Sequence, residues 1–171
     1  ILANVPSAFA QCTILPNAVQ GISYTTLTYG GSNAGGVAYN PNFNVYYAGI
    51  AGNAIFPYET FDPAGTPLYQ TNVGFDCRGI WWNPNTNEVE MNGYYMFGLW
   101  TSDLDINGNA LNTGINLFMG QNQPTDQSCG DYDYDANEIL YYNNGSIYRY
   151  DRNNDILLGS YVLTGMPVPQ G

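Results

Sequence analysis

Three stretches of this chain repeat one another, and a repeat constrains a fold more tightly than any other feature of a sequence. Gly36-Val37-Ala38-Tyr39-Asn40-Pro41-Asn42 aligns with Gly79-Ile80-Trp81-Trp82-Asn83-Pro84-Asn85. A third copy, Tyr132-Asp133-Tyr134-Asp135-Ala136-Asn137, follows Gly130 after one extra residue. On this alignment Asn40, Asn83 and Asp135 correspond, 43 and 52 residues apart. Later in each copy come Phe61-Asp62, Leu104-Asp105 and Tyr150-Asp151. A turn-forming segment follows each: Asp62-Pro63-Ala64-Gly65, Asn107-Gly108-Asn109 and Arg152-Asn153-Asn154.

Each copy reads as four strands joined by tight turns. In the first, strands are expected at about residues 36 to 40, Val45 to Ile50, Ala54 to Phe61 and near Leu68. Pro and Asn in Asn40-Pro41-Asn42-Phe43-Asn44 set the dihedrals of a reversal. Ala51-Gly52-Asn53 supplies the next turn. In the later copies the middle hairpin is expected to turn at Asn92-Gly93 and at Asn143-Asn144-Gly145, because both residues of an Asn-Gly pair accept positive φ. No segment has the apolar spacing of a long helix. The expectation is an all-β chain of antiparallel four-stranded repeats, with a β-sandwich as the alternative.

Four strands in roughly 40 to 45 residues is the period of a β-propeller blade. Gly36 to Pro41, Asn44 to Tyr47 and Asp62 to Gly65 resemble the YVTN-type propeller repeat, and Trp81 to Pro84, Asn87 to Val89 and Asp105 to Gly108 repeat the pattern. The third copy lacks the Pro, and its Asp151 turn lacks the Gly. The resemblance spans about residues 35 to 163 and implies three propeller blades, at about 35–76, 77–127 and 128–164. Residues 1–34 read as an arm with one strand at Ile22 to Tyr29, and 165–171 as a tail. Propellers close with roughly four to eight blades, so three call for more sequence or another chain.

Charge narrows the function. The 171 residues carry 3 Lys+Arg against 14 Asp+Glu, a net charge of −11, with no His. All three cations are Arg: Arg78, Arg149 and Arg152. Such a surface repels phosphate, which excludes nucleic-acid binding. A catalytic lysine, a His-dependent triad and a His zinc site cannot be built. Aromatic residues are 15% of the chain, enough for a core, so the low charge does not mean disorder. Asn, Gly and Tyr suit an extracellular, secreted or cell-surface setting, and Ala8-Phe9-Ala10 resembles the small-residue end of a signal peptide. No apolar run reaches the roughly 20 residues of a membrane span. Two of Cys12, Cys77 and Cys129 could form a disulfide in that setting.

Two acidic motifs stand out. Asp103-Leu104-Asp105-Ile106-Asn107-Gly108-Asn109 matches the start of an EF-hand loop, making Asp103, Asp105, Asn107 and Asn109 candidate calcium ligands; Gly114 stands where the loop's terminal Glu belongs. The competing expectation is a plain hairpin turn. Asp131, Asp133 and Asp135 alternate along a strand and would share one face, a candidate cation or ligand site. Arg78, Trp81 and Trp82 are candidate binding residues beside it. Glu88 and Glu90, near the two Trp, are the one carboxylate pair suited to acid–base work on a saccharide. Tyr46-Tyr47, Tyr94-Tyr95 and Tyr141-Tyr142 recur as pairs, one ring of each facing a core. The expected function is a non-enzymatic binding or assembly module engaging a protein partner or itself. A saccharide-active or saccharide-binding domain and a structural subunit of a surface assembly are the alternatives. No cofactor is expected apart from calcium.

Overall fold

A computed structural model describes residues 33–52, 55–95, 98–118 and 123–164. The arm's strand at 22–29, Ala8-Phe9-Ala10, Cys12 and the tail at 165–171 lie outside the described residues.

The described residues are all-β and form three four-stranded antiparallel sheets, with no closed barrel and no α-helix among them. The first sheet holds β1 (Asn33–Asn40), β2 (Val45–Ala51), β3 (Pro57–Phe61) and β4 (Pro67–Asn72) in that order. The second holds β5 (Cys77–Asn83), β6 (Glu88–Gly93), β7 (Leu99–Ser102) and β8 (Asn116–Phe118). The third holds β9 (Cys129–Asp133), β10 (Glu138–Asn143), β11 (Ser146–Asp151) and β12 (Ile156–Val162). The sheets meet along their first strands, β1 against β5 and β5 against β9. This is the arrangement of propeller-like blades, each with its first strand innermost.

Turn chemistry explains where the strands stop. Asn40, Asn83 and Asp133 close β1, β5 and β9, pairing with Val45, Glu88 and Glu138. The side-chain oxygen of each accepts the backbone N–H two residues on, from Asn42, Asn85 and Asp135 respectively. Four residues on, Asn44, Asn87 and Asn137 take positive φ, which Asn tolerates. Asn40 and Asn83 are therefore equivalent, as the repeat requires. Their partner in the third copy is Asp133, not Asp135. The expected alignment slips by two residues because Asp133-Tyr134-Asp135 offers the same acceptor twice.

The next landmark holds in all three copies. Asp62 accepts the N–H of Ala64 and Thr66, Asp105 those of Asn107 and Asn109, and Asp151 those of Asn153 and Asn154. One hairpin differs from expectation. Asn144-Gly145 turns with both residues at positive φ, but Asn92-Gly93 lies within β6. That hairpin turns later, at Tyr95 (φ 60°) and Gly98 (φ 68°). Asn92 is instead buried, its amide donating to Gln123 Oε1 (2.9 Å) and the Ser128 carbonyl (2.8 Å) and its oxygen accepting from Gly130 N (3.0 Å). A side chain bonded across to the next sheet cannot sit at an exposed hairpin tip.

Two apolar cores fill the joints. Ala38, Val45, Tyr47 and Tyr58 of the first sheet pack with Ile80, Val89 and Met91 of the second. Trp81 and Leu99 of the second pack with Ile139, Tyr141 and Tyr150 of the third. The innermost strands come so close that a Cβ on Gly79 would collide with the backbone of Gly130.

Candidate functional site

The two joints share a plan, and the plan locates the site. Seven residues past the Asn that closes the first strand, a side chain from the second strand points at the following sheet. The turn between that sheet's third and fourth strands comes down on it. At the first joint the residue is Tyr47, whose hydroxyl accepts from Asn40 Nδ2 (3.0 Å) and donates to the Gly108 carbonyl (2.8 Å). Gly108 sits at φ 79° against the ring of Phe43, where no Cβ fits. Alongside, the Ala110 N–H donates to Thr60 Oγ1 (3.0 Å).

At the second joint the residue is Glu90, fully buried. Trp81 Nε1 (3.0 Å) and Asn83 Nδ2 (2.8 Å) donate to it from its own sheet. Arg152, from the third sheet's turn, donates Nε to both carboxylate oxygens (3.0 Å each) and one terminal nitrogen to Oε1 (2.6 Å). Burial alone disfavours the guanidinium charge, but the bonds to Glu90 outweigh it and hold the Arg152 pKa above its usual range. Such a site binds the sheets together. A carboxylate with all its oxygens engaged and no water contact is not offered to a substrate, so Glu88 and Glu90 do not form the open pair a glycosidase needs.

Among the described residues, none makes such a joint on the far face of the third sheet. Leu140 occupies the position of Tyr47 and Glu90. It lines an open groove of about 510 Å³ with Ile147, Tyr161 and Leu163, bounded by Asp133, Glu138 and Arg149. Arg149 pairs with Glu138 through two nitrogens, donates to the Tyr161 hydroxyl (2.8 Å) and lies over the Tyr161 ring at 5.5 Å. The bonds to Glu138, first among the causes, raise its pKa. The outer edge is apolar too: Ile156, Leu157 and Leu158 are about half exposed, Tyr161 is 57% exposed and Val162 75%. Among the described residues nothing pairs with the outer edge of β12, and an apolar face beside such an edge favours being covered.

The residues singled out from the sequence scatter. Asp131 and Asp133 share this face of β9, but Asp135 lies beyond the strand end, in the turn. Asp105 spends its carboxylate on its own hairpin: the Asn109 amide, then the backbone N–H groups, hold its pKa below the usual range. Among the described residues, no three carboxylates or cysteines gather as a metal site would require. Asp103 is exposed, and Asn107 and Asn109 use their backbone N–H groups to close the same turn. Arg78 pairs with Asp76 (2.7 Å) and stacks over Tyr94 at 4.8 Å. Trp81 is buried and Trp82 half-buried against the first core, so neither is an exposed platform. Cys77, buried, and Cys129, exposed, carry free thiols. Tyr47 and Tyr141 face cores as expected, while Tyr94 and Tyr95 fall past the end of β6. The joints Tyr47–Gly108 and Glu90–Arg152 were not expected. Their signal was the shared seven-residue offset from Asn40 and Asn83, set against turns that each follow an Asp.

The chain matches no protein-family model, and no curated protein is similar to it. It is similar to the crystal structure of a protein of unknown function from Bacteroides caccae, with a TM-score of 0.46 and 12% sequence identity over 78% of this chain and 47% of that one. The chain thus spans about half the length of that structure. No described helix is long and apolar enough to cross a membrane.

Proposed function

We propose that this chain is a non-enzymatic binding or assembly module of an exported protein, its sheets acting as YVTN-like propeller blades and the far face of the third sheet as its working surface. One observation carries this reading. Among the described residues, the same face is covered by the next sheet on the first and second blades, while on the third it presents Leu140, Ile147 and Tyr161 to an open groove. Burying apolar surface at roughly 25 cal/mol per Å² rewards whatever covers it. The shortage of charge fits an extracellular partner or cell surface, and among the described residues no acid–base or nucleophilic constellation competes with the binding role.

A photo-crosslinking amino acid at Tyr161 tests this, with one at Ile106, 92% exposed but on a hairpin tip, as the control. An adduct to a polypeptide at Tyr161 and none at Ile106 is expected. No adduct at Tyr161, in the purified chain or in the medium of producing cells, overturns the reading.

A further inference from the structure

We infer that the second sheet carries a separate binding site, a small cavity for one uncharged pyranose ring, whether a free sugar or the end of a glycan. It shares no lining residue with the groove on the third sheet. In the first and third copies the fourth strand resumes at Pro67 and Ile156, five residues past Asp62 and Asp151. In the second it resumes at Asn116, eleven past Asp105. The turn at Asp105 is closed like the other two, so the extra residues lie on the return. There the chain makes one bridge, Leu104 with Ala110, and then follows β7 irregularly over 111–115. A detour that the turn does not require, found in one copy of three, is the kind of insertion that carries function on a repeat scaffold.

Backbone bonds fasten the detour. The Leu111 N–H donates to the Asp103 carbonyl (2.9 Å), the Asp103 N–H to the Thr113 carbonyl (3.0 Å) and the Thr101 N–H to the Ile115 carbonyl (2.9 Å). Gly114 lies so close to β7 that a Cβ there would stand 2.0 Å from the Thr101 carbonyl oxygen. The position where an EF-hand would put its Glu is thus one that admits no side chain. Between this loop, β7 and the crossing from the first sheet at Val73 and Phe75 lies a cavity of about 210 Å³. That is below the roughly 300–1,000 Å³ of drug-sized sites, and it suits a single ring.

The lining sets the ligand class. The Phe75 and Trp100 rings, 5.4 Å apart and tilted by 32°, contribute aromatic surface, and Ser102, Asn112 and Thr113 contribute hydroxyl and amide groups. Ser102 is also the polar neighbour of the Tyr58 hydroxyl, which is buried and makes no hydrogen bond of good geometry with any described residue. A pyranose has the same two-sided chemistry, an apolar C–H face for an aromatic ring and hydroxyl groups around its rim. No lining residue is charged, and all three Arg are already paired with carboxylates, so an anionic ligand finds no counter-charge. A wholly apolar ligand would strip water from the amide and hydroxyl groups and return no hydrogen bond. Asn112, Thr113 and Gly114 are exposed, so a ring can enter from solvent while the sheets stay packed.

Saturation-transfer nuclear magnetic resonance tests this on the purified chain. The probes are free neutral hexoses and N-acetylhexosamines, their methyl glycosides and the matching uronic acids, each at millimolar concentration. Transfer to the ring C–H protons of at least one neutral sugar is expected, with the matching uronic acid at least about tenfold weaker. A methyl glycoside that binds as well as its free sugar assigns the site to a glycan end, and binding of the free sugar alone assigns it to the monosaccharide. Asn112→Ala, on the exposed loop, should weaken binding about tenfold with the circular dichroism spectrum unchanged. Trp100→Ala should abolish binding, and Ile106→Ala should leave it untouched. If Trp100→Ala unfolds the chain, Asn112→Ala carries the test. No transfer to any neutral sugar, equal binding of the uronic acid, or binding indifferent to Asn112→Ala overturns the inference. The Tyr161 crosslink tests the third sheet by itself, so the two readings stand or fall separately.

Discussion

At Glu90 a carboxylate sits out of reach of water, held by Trp81, Asn83 and a guanidinium from another sheet. Removing one partner of such a buried pair leaves an uncompensated charge, which costs roughly 3–5 kcal/mol. Arg152→Ala should therefore lower unfolding free energy by about that much, read from urea melts, and Glu90→Gln should cost less, because the guanidinium it leaves unpaired is 10% exposed and not sealed off as Glu90 is, and the amide oxygen still accepts from it. A loss below about 1 kcal/mol for Arg152→Ala would show that the pair contributes little. Burial also sets the alkaline limit. It pushes the Tyr47 hydroxyl from 10.0 and the Cys77 thiol from 9.0 up to about 12, and it raises Tyr58 and Tyr141 as well. From the unfolded values up to about pH 12, the folded chain keeps protons that the unfolded chain has released. The stability these groups contribute is thus whole below about pH 9 and lost as the pH climbs toward 12. The urea midpoint should hold steady near neutrality and fall steadily in that alkaline window; a flat midpoint there would contradict the burial of these groups.

Between elements, two glycines bear different loads. Gly79→Ala would drive a methyl into the Gly130 backbone and force β5 from β9, so a loss of several kcal/mol is expected, as for strained, overpacked cores. Gly145→Ala meets no atom within 4 Å, and only its φ of 78° resists, which costs roughly 1–2 kcal/mol. Thermal melts of the two variants should separate clearly, and equal losses would mean that the sheets do not meet at Gly79. The same contrast explains what the sequence could reveal. Turns held by a nearby acceptor were legible: Asn40, Asn83, Asp62, Asp105 and Asp151 each bond to a backbone N–H within four residues. Asp133 was misplaced by two residues because its neighbour Asp135 could do the same work. Asn92-Gly93 misled because its amide was claimed by Gly130, 38 residues away. Nor could local spacing show that Glu90 would meet Arg152 across 62 residues. The candidate site was least legible of all, since Leu140, Ile147 and Tyr161 stand out only because no described element covers them.

Among the described residues, the second sheet is packed on both faces and the third on one. Opening free energies should follow this order, because stability in stacked repeats is a sum of unit and neighbour terms. Amide hydrogen exchange on the purified chain should show β6 as the slowest strand and β12 as the fastest; equal protection would mean that the sheets open as one unit. The joints carry a further consequence. One is closed by a hydroxyl against a carbonyl and the other by a carboxylate against a guanidinium. If the blades were shuffled, by recombination or by exchange between growing chains, Arg152 would land on Tyr47 and Glu90 would face the uncharged Gly108 turn. Any order that parts the second blade from the third would strand a charge. The adjacency of those two blades is thus written into their contact as an address, and a chain assembled without it would be disfavoured on thermodynamic grounds.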